Sequence, residues 1–207
     1  MSDYSSTADT ASDSMAMYFR PVVEDPVVVL VDESDREIGT ARKLAAHQSG
    51  GVLHRAFSVF LFDSGDHVLL QKRAVEKYHF GGLWTNACCG HAVPGEDLAL
   101  TAAIRLWQEM RICVALKEVG VFTYSARDEG SGLTEREIDH VFVGVTADSP
   151  QPDPSEADAW QWTFDADVRC LLETRSEAFT PWFEPAFALA RPTSRSCGHR
   201  AKLSEKT

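Results

Sequence analysis

The sequence predicts an α+β or mixed α/β domain, in which strands lie together and two or three helices are interposed. Short β-branched and aromatic runs between polar or glycine-containing turns predict the strands, and apolar residues at helical spacing predict the helices. A chain of 207 residues with 44% apolar residues suffices for one substantial core. We therefore expect a single domain over residues 21–190, between a disordered polar tail at residues 1–20 and a loose tail at residues 191–207.

The first half of the chain predicts mainly strands, at residues 27–31, 38–43, 56–62 and 68–71. The last two are expected to form a hairpin through the turn at residues 63–66, which contains Gly65. His47 lies in a polar, glycine-ended segment, residues 46–51, which predicts a loop. His54 opens the strand that follows this loop.

The second half predicts strands at residues 119–124, 138–145 and 160–164, and helices at residues 97–110, 166–173 and 178–190. Pro181 is tolerated because it falls in the first turn of the last helix. In the first of these helices the spacing predicts a core face made of Leu100, Ala103, Ile104 and Trp107. Arg105 and Glu109 lie four residues apart on the other face, where a surface ion pair of a few tenths of a kcal/mol is the simpler interpretation.

The overall charge narrows the class of partner. Acidic residues outnumber basic ones 31 to 20, and the formal charge of −11 disfavours nucleic acid as a partner. No apolar run approaches the ~20 residues that span a bilayer, so we expect no membrane partner. Five scattered cysteines and the absence of signal-peptide features predict a cytoplasmic protein. A local basic patch at Arg73 and Lys77 is either a solvated strand end or part of a pocket for a phosphorylated metabolite; the oligomeric state stays open.

Residues 84–91 (WTNACCGH) are the centre of the predicted site. In an extended segment Cys89 and His91 project to one face, and residues 135–137 (ERE) place two carboxylates on one face in the same way. With His47 and His54, these side chains would form a divalent-metal site suited to Mn, Zn, Fe or Mg. A solvated pair of loop carboxylates is an equally simple interpretation of residues 135–137. A nucleophile–base pair is disfavoured because Cys89 and His91 point in parallel.

Three further histidines are taken as hydrogen-bonded structural residues: His67, His79 and His140. The blocks at residues 43–47 (KLAAH), 53–57 (LHRAF), 84–91 (WTNACCGH) and 135–137 (ERE), with Tyr124 and the Pro181–Trp182 pair, have the order and spacing of one known family. Over residues 26 to 190 the chain resembles type 1 isopentenyl-diphosphate Δ-isomerase. The resemblance implies a Nudix-type fold, a mixed sheet flanked by helices. It also implies the interconversion of isopentenyl and dimethylallyl diphosphate in isoprenoid biosynthesis, by protonation and deprotonation of carbon.

The resemblance implies roles for individual residues. It implies Mn²⁺, Mg²⁺ or Zn²⁺ held by His47, His54, His91, Glu135 and Glu137, with Cys89 beside them as a further candidate ligand. It implies Cys89 and Glu137 as the acid and base, Tyr124 as the hydroxyl that bonds the catalytic carboxylate, and Trp182 as the ring that stabilises a carbocation. A Mg²⁺ ion would join the substrate diphosphate to Glu109. The diphosphate would be bound by Lys43, Arg73, Lys77 and Arg105.

Two rival functions are compatible with the fold that the resemblance implies. A Nudix hydrolase has the signature G-x5-E-x7-R-E-U-x-E-E-x-G-U, where U is aliphatic; Gly90 and Glu96 fit its start, but of its three later glutamates only Glu109 remains. The carboxylates that would activate hydrolytic water are therefore missing. An inactive metal-binding relative is disfavoured because every catalytic position carries the expected residue type. Arg111 stands where glycine is common in the resembled family, so we expect an altered end of the helix that carries Glu109.

Overall fold

The computed structural model describes residues 26–191 of the chain, so the tail predicted at residues 1–20 and all but the first residue of the tail predicted at residues 191–207 lie outside the described residues. Within the described part a nine-stranded mixed sheet carries helices on both faces, which confirms the predicted fold class. The strands are β1 (Val27–Val31), β2 (Glu37–Arg42), β3 (His54–Phe62), β4 (His67–Arg73), β5 (Trp84–Thr85), β6 (Cys88–His91), β7 (Lys117–Arg127), β8 (Thr134–Val145) and β9 (Ala157–Phe164). The helices are α1 (Lys43–His47), α2 (Leu98–Met110), α3 (Asp165–Arg175) and α4 (Phe183–Ala190), with a 3₁₀ turn at Ser176–Ala178.

Strand β3 is the centre of the sheet. All nine of its residues pair in parallel with β8, and on its other side residues 56–59 pair with β6 in the antiparallel sense. The predicted hairpin forms, but β3 and β4 pair only at Phe62 and Val68, and β4 then continues along β9. This arrangement brings β6 and β8, which are distant in sequence, to the two sides of one strand.

Alternation along β3 divides the core into two layers. Phe57, Val59 and Leu61 are fully buried on one face, against α2, while Phe60 and Phe62 pack on the other face with α3 and α4. Each such side chain contributes about 1.5–3 kcal/mol when it is fully buried. Because β3 has apolar residues on both faces at its carboxyl end and polar ones at its amino end, the amino end is left for a polar site.

The predicted core face of α2 is partly wrong. Ile104 is buried as expected, but Leu100, Ala103 and Trp107 are only half-buried. The other buried residues of the helix are Thr101, Ala102, Leu106, Glu109 and Met110. Leucine and alanine occur around most of this helix, so its periodicity allowed more than one orientation, and contact with β3 and β6 selected the face.

Several element boundaries also differ from the prediction, two of them next to predicted site residues. His47 ends the short helix α1 instead of lying in a loop; five residues are too few to produce a periodic signal. Helix α4 begins at Phe183, after Pro181, and not at residue 178. Proline disfavours helical backbone in the residue before it, and Thr180 accordingly donates its backbone N–H to the carbonyl of Trp84 at 2.9 Å.

Arg111 ends α2 in the conformation that glycine usually adopts at this place. Its φ is +57°, and its backbone N–H donates to the carbonyl of Trp107 at 2.9 Å. The guanidinium lies 4.5 Å from the centre of the Trp107 ring, a contact that offsets part of the ~1–2 kcal/mol cost of left-handed backbone. The helix end therefore keeps its normal geometry, and Glu109 stays within the last helical turn. In the described part of the chain no helix is long and apolar enough to cross a membrane.

Candidate active site

The predicted site residues gather around one cavity of about 1420 Å³. Its lining includes Lys43, Arg73, Lys77, Cys89, His91, Arg105, Glu109, Tyr124, Glu135, Glu137 and Trp182. His47 and His54 lie beneath this lining and are fully buried. All thirteen residues that the sequence nominated are thus brought together, although their individual roles stay predictions.

The register of the sheet puts the reactive groups on one face. Cys89 on β6 is opposite Ser58 of β3, and Glu137 on β8 is opposite His54 of the same strand. Side chains of paired residues lie on the same face of a sheet. Strands lie about 4.8 Å apart, so β6 and β8 are separated by about 10 Å, with β3 forming the floor between them; along β3, Cys89 and Glu137 are also offset by the four residues from His54 to Ser58.

Three imidazoles and two carboxylates form a compact cluster. One ligand atom from each of His47, His54, His91, Glu135 and Glu137 lies within 4.8 Å of the corresponding atoms of the others. Nδ1 of His47 is 2.6 Å from the Lys43 carbonyl, and Nδ1 of His54 is 2.7 Å from the Val52 carbonyl. Each Nδ1 therefore carries the proton, which leaves the Nε2 lone pair directed into the cluster.

The donor set fits a divalent cation. Nε2 of His47, Nε2 of His54 and Oε2 of Glu135 are buried and have no hydrogen-bond partner within residues 26–191. Nε2 of His47 is nevertheless only 2.7 Å from Oε2 of Glu135. Close approach without hydrogen-bond geometry is expected when lone pairs converge on a common ion. Three imidazole and two carboxylate donors would hold a divalent cation.

Each of the two glutamates of the cluster is contacted at both of its carboxylate oxygens. Oε1 of Glu137 is 2.8 Å from Nε2 of His91, and Oε2 accepts a short hydrogen bond from the hydroxyl of Tyr124. Oε2 of Glu135 faces the imidazoles, and its Oε1 contacts Nε2 of His79. Burial raises the pKa of each carboxyl, but the neighbouring imidazoles lower it by more, so the net pKa of both lies below its ordinary value. Burial raises the pKa of Tyr124, which keeps its hydroxyl a donor.

The adjacent cysteines have different surroundings. Cys88 is fully buried and packs in the core layer beneath α2, whereas Cys89 lines the cavity. Burial raises the pKa of Cys89 to about 12, although the nearby Arg73 guanidinium opposes this, and Sγ accepts a long hydrogen bond of 3.7 Å from Arg73. The group facing the cavity is therefore a neutral thiol that can donate a proton.

Arg73, in the predicted basic patch, is buried, so its interpretation as part of a solvated strand end is wrong. Trp182 is buried beside it. Arg73 is only 7% exposed and donates from Nε to the Phe80 carbonyl at 3.1 Å and from Nη2 to the His79 carbonyl at 3.2 Å. Its guanidinium lies 5.5 Å from the Trp182 ring, which is 3% exposed. A register irregularity follows Lys72, and such bulges redirect the next side chain.

Arg105 and Lys77 are tied to carboxylates, and Lys43 to an aromatic ring. Nη2 of Arg105 donates to Oε1 of Glu109 at 2.6 Å, and Glu109 is 4% exposed, so the expected surface ion pair is in fact partly buried. Oε1 of Glu156 lies 3.4 Å from the same Nη2, and its Oε2 contacts Nζ of Lys77. Lys43 stands over the Tyr78 ring at 5.3 Å. These contacts fix the side chains of Lys43, Lys77 and Arg105 at one end of the cavity, which with Arg73 forms its cationic end.

Three residues of this region were missed by the sequence. His79 was assigned a structural role, and Glu156 was not considered. Asp139 is 2% exposed and accepts a hydrogen bond of 2.8 Å from Ser58; burial and the neighbouring Glu137 raise its pKa well above the ordinary value. Asp139 could have been found, because it continues the alternation of Glu135 and Glu137. His79 and Glu156 gave no local signal, since their partners are distant in sequence.

The chain is similar to proteins of known family. Residues 52–183 match the NUDIX domain. An isopentenyl-diphosphate Δ-isomerase of Nocardia farcinica is 44% identical over 173 residues, which cover 84% of this chain and 99% of that protein. One from Streptomyces griseus is 46% identical over 80% of this chain and 84% of its own length. This chain belongs to the isopentenyl-diphosphate Δ-isomerase family. The family resemblance inferred from the sequence blocks is thereby confirmed.

Solved structures show that this isomerase family shares its fold with a wider group. A crystal structure from Deinococcus radiodurans superposes with a TM-score of 0.62 at 16% identity and covers 80% of this chain and 99% of its own. A MutT protein from Methanosarcina mazei gives a TM-score of 0.54 at 17% identity, over 65% of this chain and 90% of that one. Identities this low establish the shared Nudix fold alone.

Proposed function

We propose that this chain isomerises isopentenyl diphosphate to dimethylallyl diphosphate, and the reverse, by adding a proton on one face of the allylic unit and removing another from the opposite face. The observation that carries the proposal is the placement of a neutral thiol, Cys89, and a carboxylate, Glu137, on opposite sides of one cavity floor. Family membership supports the same reaction.

The cavity supplies what protonation of an alkene requires. An unactivated double bond is a very weak base, so the acid must be fixed and the developing cation must be stabilised away from water. Cys89 is oriented by the β3–β6 pairing, and Trp182 presents a buried aromatic ring in the same cavity. We assign the π-face of Trp182 to the tertiary cation, an interaction worth about 2 kcal/mol or more when water is excluded.

Glu137 takes the role of the second proton-transferring group. The hydroxyl of Tyr124 fixes one of its oxygens, and the imidazoles of His54 and His91 contact the other. A carboxylate held on both sides transfers a proton along a defined direction, which general acid–base catalysis requires. In the reverse reaction Glu137 would donate the proton and Cys89 would accept one.

We assign the diphosphate to the cationic end of the cavity. Lys43, Arg73, Lys77 and Arg105 line this end, and their side chains supply the hydrogen-bond donors that phosphate oxygens accept. Glu109 would hold a Mg²⁺ ion that also binds the diphosphate. A second divalent cation, Mn²⁺, Zn²⁺ or Mg²⁺, would be held by the five-residue cluster and would lower the proton affinity of groups bound to it. The partner is therefore a small molecule; nucleic acid and membrane are not expected, and residence in the cytoplasm stays a prediction.

One assay separates the isomerase from its rivals. The chain is incubated with isopentenyl diphosphate and Mg²⁺, and the products are analysed for acid-labile allylic diphosphate and for released phosphate. We expect the allylic product without phosphate release. Release of phosphate would indicate a Nudix hydrolase, and recovery of unchanged substrate would indicate an inactive relative; either result would contradict the proposal.

A further inference from the structure

His79 is a fourth buried imidazole beside the metal cluster. It is 6% exposed, its ring centre lies 5.7 Å from that of His47, and its Nε2 contacts Oε1 of Glu135. The five donors of the cluster do not include it. The contact therefore lies on the oxygen of Glu135 that faces away from the other imidazoles.

The surroundings of the ring determine which nitrogen carries the proton. Nδ1 of His79 is buried and has no hydrogen-bond partner among the described residues. A proton on Nδ1 would be left unsatisfied, and it would place the Nε2 lone pair against a carboxylate oxygen. A proton on Nε2 avoids both costs and makes His79 a donor to Oε1 of Glu135.

The backbone around His79 fixes the ring in this position. Arg73 donates to the His79 and Phe80 carbonyls at 3.2 and 3.1 Å, and the backbone N–H of Phe80 donates to Asp128 at 3.4 Å. Gly81 allows the tight return of this loop, since a Cβ there would lie 2.7 Å from the Val75 carbonyl oxygen. These contacts fix the backbone on both sides of His79 and so limit where its ring can lie.

The two glutamates of the cluster provide an internal comparison. Glu137 has one oxygen near His54 and His91 and the other held by Tyr124. Glu135 has Oε2 at 2.7 Å from His47 and Oε1 held by His79. Each carboxylate thus has an inner oxygen directed at the imidazoles of the cluster and an outer oxygen fixed by a donor.

We propose that His79 is a positioning residue for Glu135, holding Oε1 so that Oε2 stays directed at the metal, as Tyr124 does for Glu137. The inference rests on the metal site of the proposed function. Donors that orient metal-bound carboxylates and imidazoles commonly change metal affinity by 10–100-fold when they are removed. His79 also follows Lys77 by two residues, so one loop serves both the metal cluster and the cationic end of the cavity.

The test compares His79→Leu, which has similar bulk but no donor, with His79→Gln, whose amide N–H can replace Nε2–H. His67→Ala is the matched control. His67, the first residue of β4, pairs with the carboxylate of Asp63 in the preceding turn, and this pair lies outside the cavity. Mn²⁺ is titrated into each full-length chain after chelation, and binding is followed by calorimetry and by Mn²⁺ electron paramagnetic resonance. We expect the dissociation constant to rise 10–100-fold in His79→Leu and to stay within about threefold in His79→Gln and His67→Ala.

Unchanged Mn²⁺ affinity in His79→Leu would overturn this inference alone. A starting chain that binds no divalent cation would overturn the metal site together with it. Should His79→Leu fail to fold, nitrogen-15 chemical shifts of His79 in the Zn²⁺-loaded starting chain provide an independent answer. The inference requires a proton on Nε2, and a proton on Nδ1 or direct coordination of Zn²⁺ by His79 would refute it.

Discussion

Substitution of two adjacent cysteines distinguishes packing from chemistry. Cys88 is fully buried in the core layer beneath α2, so Cys88→Ala leaves a cavity the size of one sulfur atom. By analogy with the loss of one buried methyl group, this costs about 1 kcal/mol, or about 2–4 °C in melting temperature for a chain of this size. We expect the isomerisation rate of Cys88→Ala to stay within a fewfold of the starting value.

Cys89→Ala should give the opposite pattern. Cys89 faces the cavity, so its truncation should change the melting temperature little but lower kcat by about 10²–10⁴, the usual contribution of a general acid or base. The rates are measured as acid-labile product from isopentenyl diphosphate, with melting followed by circular dichroism on the same samples. Equal kcat values in the two variants would refute the assignment of Cys89, whatever their stabilities.

A chemical probe checks the same assignment without substitution. Because the pKa of Cys89 is raised to about 12, its thiolate fraction is small at pH 8. As long as the pH is below the pKa, this fraction should rise about tenfold for each unit by which the pH increases. Alkylation by iodoacetamide should therefore accelerate with pH in this manner, and bound substrate should slow it. Alkylation of Cys89 that is fast at pH 7 and independent of pH would contradict the buried neutral thiol.

The remaining predictions concern metal, proton exchange and substrate binding. Chelation should abolish turnover, and Mg²⁺ or Mn²⁺ should restore it; full activity with no metal by elemental analysis would contradict the metal site. In D₂O the product should acquire deuterium, chiefly in the new methyl group. Isomerisation without solvent deuterium would require a proton recycled between the faces or a different mechanism. The variants Glu137→Gln and Cys89→Ser should bind substrate but hardly turn over. Metal content should be measured in the same samples, because Glu137→Gln also weakens a metal ligand. Glu156→Gln should raise KM about tenfold with kcat nearly unchanged, because Lys77 and Arg105 must then be ordered by the substrate itself. The matched control is Glu76→Gln, which removes an exposed charge beside Lys77; equal KM values in these two variants would remove the role given to Glu156.

The sequence alone determined the parts of this protein that depend on local pattern. Alternation with period two placed Cys89 and His91 on one face of β6, and Glu135 and Glu137 on one face of β8. The family's blocks, with their order and spacing, identified the family before any fold was known. Local pattern was sufficient here because strand parity is fixed by the backbone itself.

Only the tertiary structure decided which residues meet across the chain. The parallel pairing of β3 with β8 joins residues about 80 positions apart, and no periodicity within either strand encodes it. The segment between β4 and β5 likewise brings His79 against Glu135, although the neighbours of His79 in the sequence suggested only a structural role. Similarly, the packing of α2 on β3 and β6 turned Arg105 and Glu109 from an expected surface pair into a partly buried one beside Glu156. Long-range contacts of this kind depend on which faces the whole core can bury, and a single segment does not contain that information.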